Sequence, residues 1–151
     1  MNNFEIIKME ISMINECVDL FIDVFSKEPW NDVYESRNQV INFFENHMNN
    51  NYFCGYVGVL NEKIVALSIG MKKPWIKGME YYIDEFCVHH NLQVKGIGSY
   101  FLKQIENNVK ELGMNGIILN TERNVPAKEF YINNGFDVLE DLIVLGRDIR
   151  I

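Results

Sequence analysis

The stretch CVHHNLQVKGIGSYFLKQIE (87–106) changes character twice within a few residues. β-Forming residues stop at His89 and His90, a turn runs from Gln93 through Val94, Lys95, Gly96, Ile97 and Gly98 to Ser99, and helical spacing begins at once. Two glycines in three residues weaken a helix start, because glycine loses more freedom on ordering than any other residue. They are useful where something must come close to the backbone. The first turn of a helix offers N–H groups without intrahelical partners and the positive end of the dipole. With no side chains at Gly96 and Gly98 an anion can touch those groups, and a pyrophosphate is the natural guest. The alternative is a tight corner whose glycines serve packing alone. A dinucleotide fingerprint would need a third glycine where Phe101 stands, and a P-loop would need Gly-Lys-Ser/Thr after four spacers; neither is present.

Upstream, Asp84 and Glu85 are neighbours in MEYYIDEFCVHH (79–90), an otherwise β-branched and aromatic stretch. Two acids there are costly if buried without purpose. On a regular strand they face opposite sides unless a bulge intervenes. The same alternation would point His89 and His90 to opposite faces, which makes them a poor metal pair, and no metal is expected. Cys17, Cys54 and Cys87 form no CxxC pair; free thiols in a reducing cytoplasm fit them better than disulfides.

These residues need a scaffold. FEIIKM (4–9) reads as a first strand. Ser12 or Asn15 could cap a helix with Ile14, Val18, Phe21, Ile22 and Phe25 inward. Pro29 marks its stop, and a second helix fits 35–48, with Val40, Ile41, Phe44 and Met48 inward. YFCGYVGVL (52–60) and KIVALSIGM (63–71) are strands joined at Asn61-Glu62, a hairpin signal. KKPWIKG (72–78) reads as a loop and 79–90 as a long strand. Ile97, Phe101, Ile105, Val109 and Leu112 form a helical stripe that Gly113 ends. GIILNT (116–121) is a short strand. Asn124 before Pro126 reads as the N-cap of AKEFYIN, with Gly135 as its stop. FDVLE and LIVLGRDI read as two closing strands. The order β-α-α-β-β-β-α-β-α-β-β indicates an α/β fold with a mixed sheet.

The 151 residues suit one ordinary domain, and an apolar fraction of 48% supports a core. No apolar run reaches the ~18 residues of a membrane span, and MNNFEIIKME lacks the regions of a secretory signal. A net charge of −7 opposes generic nucleic-acid binding, which draws its affinity from neutralising phosphate. It is compatible with a cationic partner or with solubility alone.

Gln-x-x-Gly-x-Gly on Gln93, Gly96 and Gly98, after a strand ending in Val88, resembles the acetyl-CoA-dependent N-acetyltransferases of the GNAT superfamily. FYINNGF (130–136) is similar to that family's Phe-Tyr-x-x-x-Gly-Phe segment. Asn124, seven residues before Tyr131, matches a position that often contacts the cofactor in similar proteins. The order of elements agrees over nearly the whole chain. The resemblance implies a single N-acetyltransferase domain over 1–151, built on a GNAT-type mixed sheet of about seven strands with helices on both faces.

It further implies that strand 79–90 splays from 116–121, so that the backbones of Phe86 and Val88 can pair with pantetheine as if it were another strand. The N–H groups of Val94, Lys95, Gly96, Ile97, Gly98 and Ser99 would hold the pyrophosphate, with the Lys95 charge near it or simply solvated. A backbone N–H near Phe86 or Val88 would meet the acetyl carbonyl, and one such donor is typically worth ~2.7–4 kcal/mol. Tyr131 takes the place of the family's general acid, since a phenol with a pKa of ~10 is protonated at neutral pH. Glu85, three residues before Val88, corresponds to an acidic position in aminoglycoside 6′-N-acetyltransferase-like relatives and is the expected base, through water; Asp84 and water alone are the alternatives. Cys87 is not the expected nucleophile, because no histidine is evidently placed to activate it and the family transfers acetyl directly.

The acceptor pocket is expected from KEPWND (27–32) and KKPWIKG (72–78). Trp30 and Trp75 would wall it, and Asp32, Glu35 and Asp84 would attract a cation. The implied activity is transfer of acetyl from acetyl-CoA to a primary amine of a small cationic acceptor, in the cytoplasm, with no metal, nucleic acid or membrane. A homodimer through the terminal strands follows by analogy. The competing readings are a protein N-terminal or lysine acetyltransferase, and an acyl-CoA-binding sensor domain without catalysis.

Overall fold

The computed structural model describes residues 3–150. The chain divides into two compact units, 1–120 and 121–151. The first is a five-stranded sheet in the order β1-β2-β3-β4-β5, built from Phe4–Lys8 (β1), Phe53–Leu60 (β2), Lys63–Trp75 (β3), Gly78–Val88 (β4) and Gly116–Leu119 (β5). Strands β1 to β4 pair antiparallel, and β5 joins β4 in parallel. Helices α1 (Ile14–Phe25) and α2 (Arg37–Met48) lie between β1 and β2 in sequence, and α3 (Ile97–Glu111) makes the crossover that a parallel β4–β5 pair requires.

The sheet is covered on both faces. Val57, Leu67, Ile69 and Cys87 share one core with Val18, Phe21 and Phe25 of α1 and Val40 and Phe44 of α2. On the other face Phe101 of α3 meets Phe4 and Phe86, with ring centroids 6.0 and 5.5 Å apart. The sequence explains most boundaries. Asn61 and Glu62 both adopt positive φ (51° and 63°), the two-residue turn that matches strand twist. Ser36 Oγ accepts from the N–H of Gln39 and caps α2. Gly113, at φ 81°, follows the end of α3.

Four expectations need correction. Neither Ser12 nor Asn15 caps α1: a single 3₁₀ turn over Ile11–Met13 leads into it, and Met13 occupies the cap without a side-chain bond. KKPWIKG is not a loop, because Lys72, Lys73 and Pro74 pair with Tyr81, Glu80 and Met79. The β2–β3 ladder ends at Phe53↔Met71, so Pro74 lies where β3 has an outer edge and the missing N–H is tolerated. Asn124 is not the cap of α4 (Pro126–Asn133); Val125 holds that position, without a side-chain bond.

The fourth is the largest. The two closing strands, and with them the seven-stranded sheet, are not formed: residues 136–149 have no strand pairing, and the sheet has five strands. Leu142, Ile143, Val144 and Leu145 are 63–84% exposed. A β-branched run specifies a strand only where a ladder partner and a surface to pack on exist. Within the second unit, Tyr131 is buried, its ring centroid 5.2 Å from that of Phe130 and 5.3 Å from that of Phe136. Gly135, at φ 87°, ends α4 as expected.

Candidate active site

The geometry turns on an irregularity in β4. Ile69 pairs with Glu85 but Gly70 pairs with Ile83, so Asp84 is one residue more than β3 can match. Such a bulge breaks the two-residue alternation of faces. Tyr81, on one side of it, reaches Ser68 Oγ (2.8 Å) and the Cys54 carbonyl (3.2 Å). Phe86 stacks on Phe101 of α3. Asp84 and Glu85, consecutive in sequence, both turn to the opposite face, toward α1 and α2. Asp84 Oδ2 lies 2.6 Å from His47 Nε2 on α2. Glu85 is influenced by Asp84, Asp32 and His47 together.

Burial, then the charges of Asp84 and Asp32, push the Glu85 carboxyl up to about 7, against a lowering by His47. That value suits a base working near neutrality. Asp32 is fixed by its N–H to the Phe25 carbonyl (2.8 Å) and accepts from Tyr34 Oη at 3.3 Å. Burial, with Asp32 and Glu85 nearby, holds the Tyr34 phenol well above its ordinary value, so it remains a donor. Three of the expected acids are thus brought together: Asp32, Asp84 and Glu85. Asp84, expected to attract an acceptor cation, already faces an imidazole.

The tryptophans are placed otherwise. Trp30 packs half-buried on Phe25, ring centroids 5.7 Å apart. Trp75 is at the tip of the β3–β4 hairpin, opposite Gly78, under the ammonium of Lys73 at 5.4 Å. Glu85 lies seven steps along the strand from Gly78, roughly 20 Å at ~3.3 Å per step. The structure does not bring Trp75 to the acids. Cys87 is buried, and burial raises its thiol well above the ordinary value; a thiol in that state is a poor nucleophile.

The glycine turn fits a phosphate-bearing cofactor. The β4–β5 ladder covers four residue pairs, from Glu80↔Gly116 to Ile83↔Leu119, and stops there. β5 itself ends at Leu119, while β4 runs on to Val88. The N–H of His89 is spent on the Val65 carbonyl of β3 (2.8 Å), so by alternation the backbone groups of Phe86 and Val88 point away from β3. Gln93 Nε2 donates to the Val88 carbonyl at 3.0 Å and ties the turn to the end of β4. Gly96 precedes α3 at φ 81°, a region in which any other residue is strained, and no side chain caps the helix. Val94 is fully exposed at φ 63°, unusual for a β-branched residue. Lys95 and Ser99 flank the uncapped N–H groups. In the second unit, Asn124 is exposed and Tyr131 buried.

The two histidines correct another expectation. β4 ends at Val88, so they do not sit on opposite faces of a strand. Their rings stack at 4.4 Å and both approach Asp23 of α1, His90 Nδ1 at 3.1 Å and His89 Nε2 at 3.7 Å from Oδ2. These three side chains could hold a metal ion, but the Lys27 ammonium, 2.6 Å from Asp23 Oδ1, already supplies a cation there. Lys27, more than the histidines, holds the Asp23 carboxyl below its ordinary value.

His47, Gly70 and Tyr34 were missed by sequence reasoning. His47 did carry a signal: it lies seven residues after Val40 and three after Phe44, on the inner stripe of α2. Gly70 inside an apolar strand was also a bulge signal. Among the described residues no helix is long and apolar enough to cross a membrane.

Comparison with known proteins bears on the family and the fold. The model of the acetyltransferase (GNAT) family matches residues 14–136. A search of curated proteins gives no match. Among solved structures, the chain is similar to an aminoglycoside acetyltransferase, meta-AAC0020, from an uncultured soil metagenomic sample, in complex with sisomicin. The TM-score is 0.77 at 18% identity, covering 99% of this chain and 98% of that one. It is similar to aminoglycoside N-acetyltransferase AAC(6')-Iy in complex with CoA, with a TM-score of 0.75 at 10% identity over 97% and 95% of the two chains. It is also similar to a ribosomal-protein-alanine N-acetyltransferase from Brucella melitensis, with a TM-score of 0.72 at 16% identity over 98% and 99%. At these identities the solved structures speak for the fold, and the family model for the family: the chain belongs to the GNAT acetyltransferases.

Proposed function

We propose that this GNAT acetyltransferase moves the acetyl group of acetyl-CoA directly to a primary amine of a small cationic acceptor. The observation that carries the reading is the bulge that turns Asp84 and Glu85 to one face beside Asp32. An acidic cluster around a carboxyl pushed up to about 7 both attracts an ammonium and can take its proton. Bound acetyl-CoA supplies an acyl group on a good leaving thiolate. Glu85 accepts the amine proton, directly or through water, which makes the amine nucleophilic. The N–H groups of residues 94–99, at the positive end of α3, hold the pyrophosphate, with Lys95 beside them. The backbones of Phe86 and Val88 pair with the pantetheine arm, and Gln93 keeps the turn against the strand. Asn124 contacts the cofactor and Tyr131 donates a proton to the departing thiolate. Asp32 and Glu85 attract the acceptor, with Trp30 at its edge and Asp84 engaged by His47.

The aminoglycoside acetyltransferases among the structural neighbours are compatible with a polyamine acceptor, and the ribosomal-protein neighbour supplies the competing acceptor class. Incubation with acetyl-CoA and a panel of monoamines, diamines, aminoglycosides and N-terminal peptides, following free thiol release, tests the proposal. Turnover with small di- or polyamines is expected. Turnover confined to peptides would replace the acceptor class, and thiol release from none of them would overturn the proposal.

A further inference from the structure

His47 stands between two acceptors. Its Nδ1 lies 3.0 Å from the Phe43 carbonyl oxygen and its Nε2 lies 2.6 Å from Asp84 Oδ2. A carbonyl can only accept, so Nδ1 carries a proton. A neutral ring would then aim the lone pair of Nε2 at a carboxylate oxygen. The arrangement is stable if a second proton lies on that line, which makes His47 an imidazolium paired with the Asp84 carboxylate. The ring is held in place by Phe43, 4.4 Å away and one helical turn back. The side chains of His47 and Asp84 are 24% and 39% exposed, so the pair is partly shielded from water.

We propose that His47 is a positioning residue that fixes the charge of the acidic cluster, holding Asp84 as a closed ion pair so that an incoming cation meets Asp32 and Glu85. The proposal rests on the acetyl-transfer reading above and deepens it. The charged and titratable groups that face this point are Asp84 and Glu85 from β4 toward His47, and Asp84, Asp32, Tyr34, Cys87 and His47 around Glu85. Asp84 and Asp32 favour the protonated form of Glu85, and His47 is the group that opposes them. Removing the imidazolium therefore acts twice: Glu85 becomes harder to ionise, and Asp84 becomes available to a second ammonium on the acceptor.

The test has an arm that needs no turnover. In ¹⁵N-histidine NMR spectra of the whole chain, with the His47 signals assigned by their loss in His47→Gln, both ring nitrogens are expected in the protonated state at pH 7. In Asp84→Asn the same signals should move to the neutral pattern at that pH. A neutral His47 in the wild type at pH 7 overturns the pair. In the kinetic arm, His47→Gln should shift the acidic limb of kcat/KM upward by ~0.5–1 pH unit, as expected for loss of a nearby opposite charge. KM for a diamine should fall relative to a monoamine of equal length, and His47→Lys should restore the limb. A variant that loses kcat evenly at all pH values, with the limb unmoved and no rescue by lysine, makes His47 a packing residue and overturns the proposal. A doubly protonated His47 in a protein that acetylates no amine sinks the acetyl-transfer reading instead.

Discussion

A β-carbon placed on Gly70 would overlap the carbonyl oxygen of Tyr82 and come within 2.9 Å of the Tyr81 ring. Gly70 pairs with Ile83 at the point where β4 carries its extra residue. The close approach of the two strands, and hence the bulge that turns Asp84 to the α2 face, requires the absence of a side chain there. The obstacle is backbone and cannot rotate away. Gly70→Ala should therefore destabilise the fold by ~1–3 kcal/mol, as overpacking does, and should lower kcat as Asp84 and Glu85 separate. Urea denaturation and steady-state kinetics check this. A variant with wild-type midpoint and turnover would show that the bulge does not depend on Gly70.

Glu85 links activity and stability to pH with opposite signs. Its carboxyl titrates at about 7 in the folded protein, against an ordinary 4.5, because of burial first and Asp84 and Asp32 next. Between these values the folded state keeps a proton that the unfolded chain releases. The contribution of this group to stability is full below pH 4.5 and is lost as pH rises through 7. Activity, which needs the ionised base, should rise over the same upper range. Glu85→Gln should lower kcat by ~10²–10⁴ and remove the acidic limb. The same substitution should make the apoprotein more stable than wild type at pH 8 by ~1–3 kcal/mol, with the difference shrinking toward pH 4. Thermal melts across pH read the second effect. If Asp84→Asn rather than Glu85→Gln abolishes the limb, the base is Asp84.

Gly98 lies in the first turn of α3, two residues after the left-handed Gly96. A carboxylate there would meet the site proposed for the pyrophosphate with bulk and like charge. Gly98→Asp should weaken acetyl-CoA binding by more than tenfold, about 1.4 kcal/mol or more. An Asp early in a helix is favourable to the helix itself, so the fold should survive. Unchanged affinity by calorimetry in a folded variant would refute the anion-site assignment.

The sequence made the scaffold legible wherever a local signal coincided with a tertiary one. Asn61-Glu62, Gly113 and Gly135 turn where their types demand. The stripes of α1 and α3 are buried because a 3.6-residue period leaves them no other way to cover their apolar residues, except that Leu112 falls past the end of α3 and is exposed. The candidate site was legible in part as residue types: Asp32, Asp84 and Glu85 were named, and they lie near one another, whereas Trp75 does not join them. How they converge was legible only as a hint, the glycine at position 70. The bulge is a register event between β3 and β4, and no single strand displays its partner's register. The spacing of His47 puts it on the inner stripe of α2, but its partner Asp84 is named only when β4 is set beside that helix. Residues 136–149 mislead in the opposite direction. Their composition is that of strands, but composition does not supply a neighbour to pair with.

Tyr131 is the residue on which the proposed chemistry is most exposed. Its position in FYINNGF and its burial beside Phe130 and Phe136 are equally consistent with a core tyrosine and with a proton donor, and one substitution separates the two. Tyr131→Phe removes a hydroxyl and keeps the ring contacts, so packing in the second unit should hold. If the phenol protonates the departing thiolate, kcat should fall by roughly 10- to 1000-fold, the lower part of the general-acid range and below. Acetyl-CoA affinity should change by less than about tenfold, or ~1.4 kcal/mol, because the lost interaction matters in the transition state more than in the bound ground state. A thiol leaving group of low intrinsic basicity should partly escape the loss. Comparing acetyl-CoA with an acetyl thioester of a more acidic thiol in the variant therefore reads the role directly. Equal losses for both donors, or wild-type turnover in the folded variant, would return Tyr131 to the core.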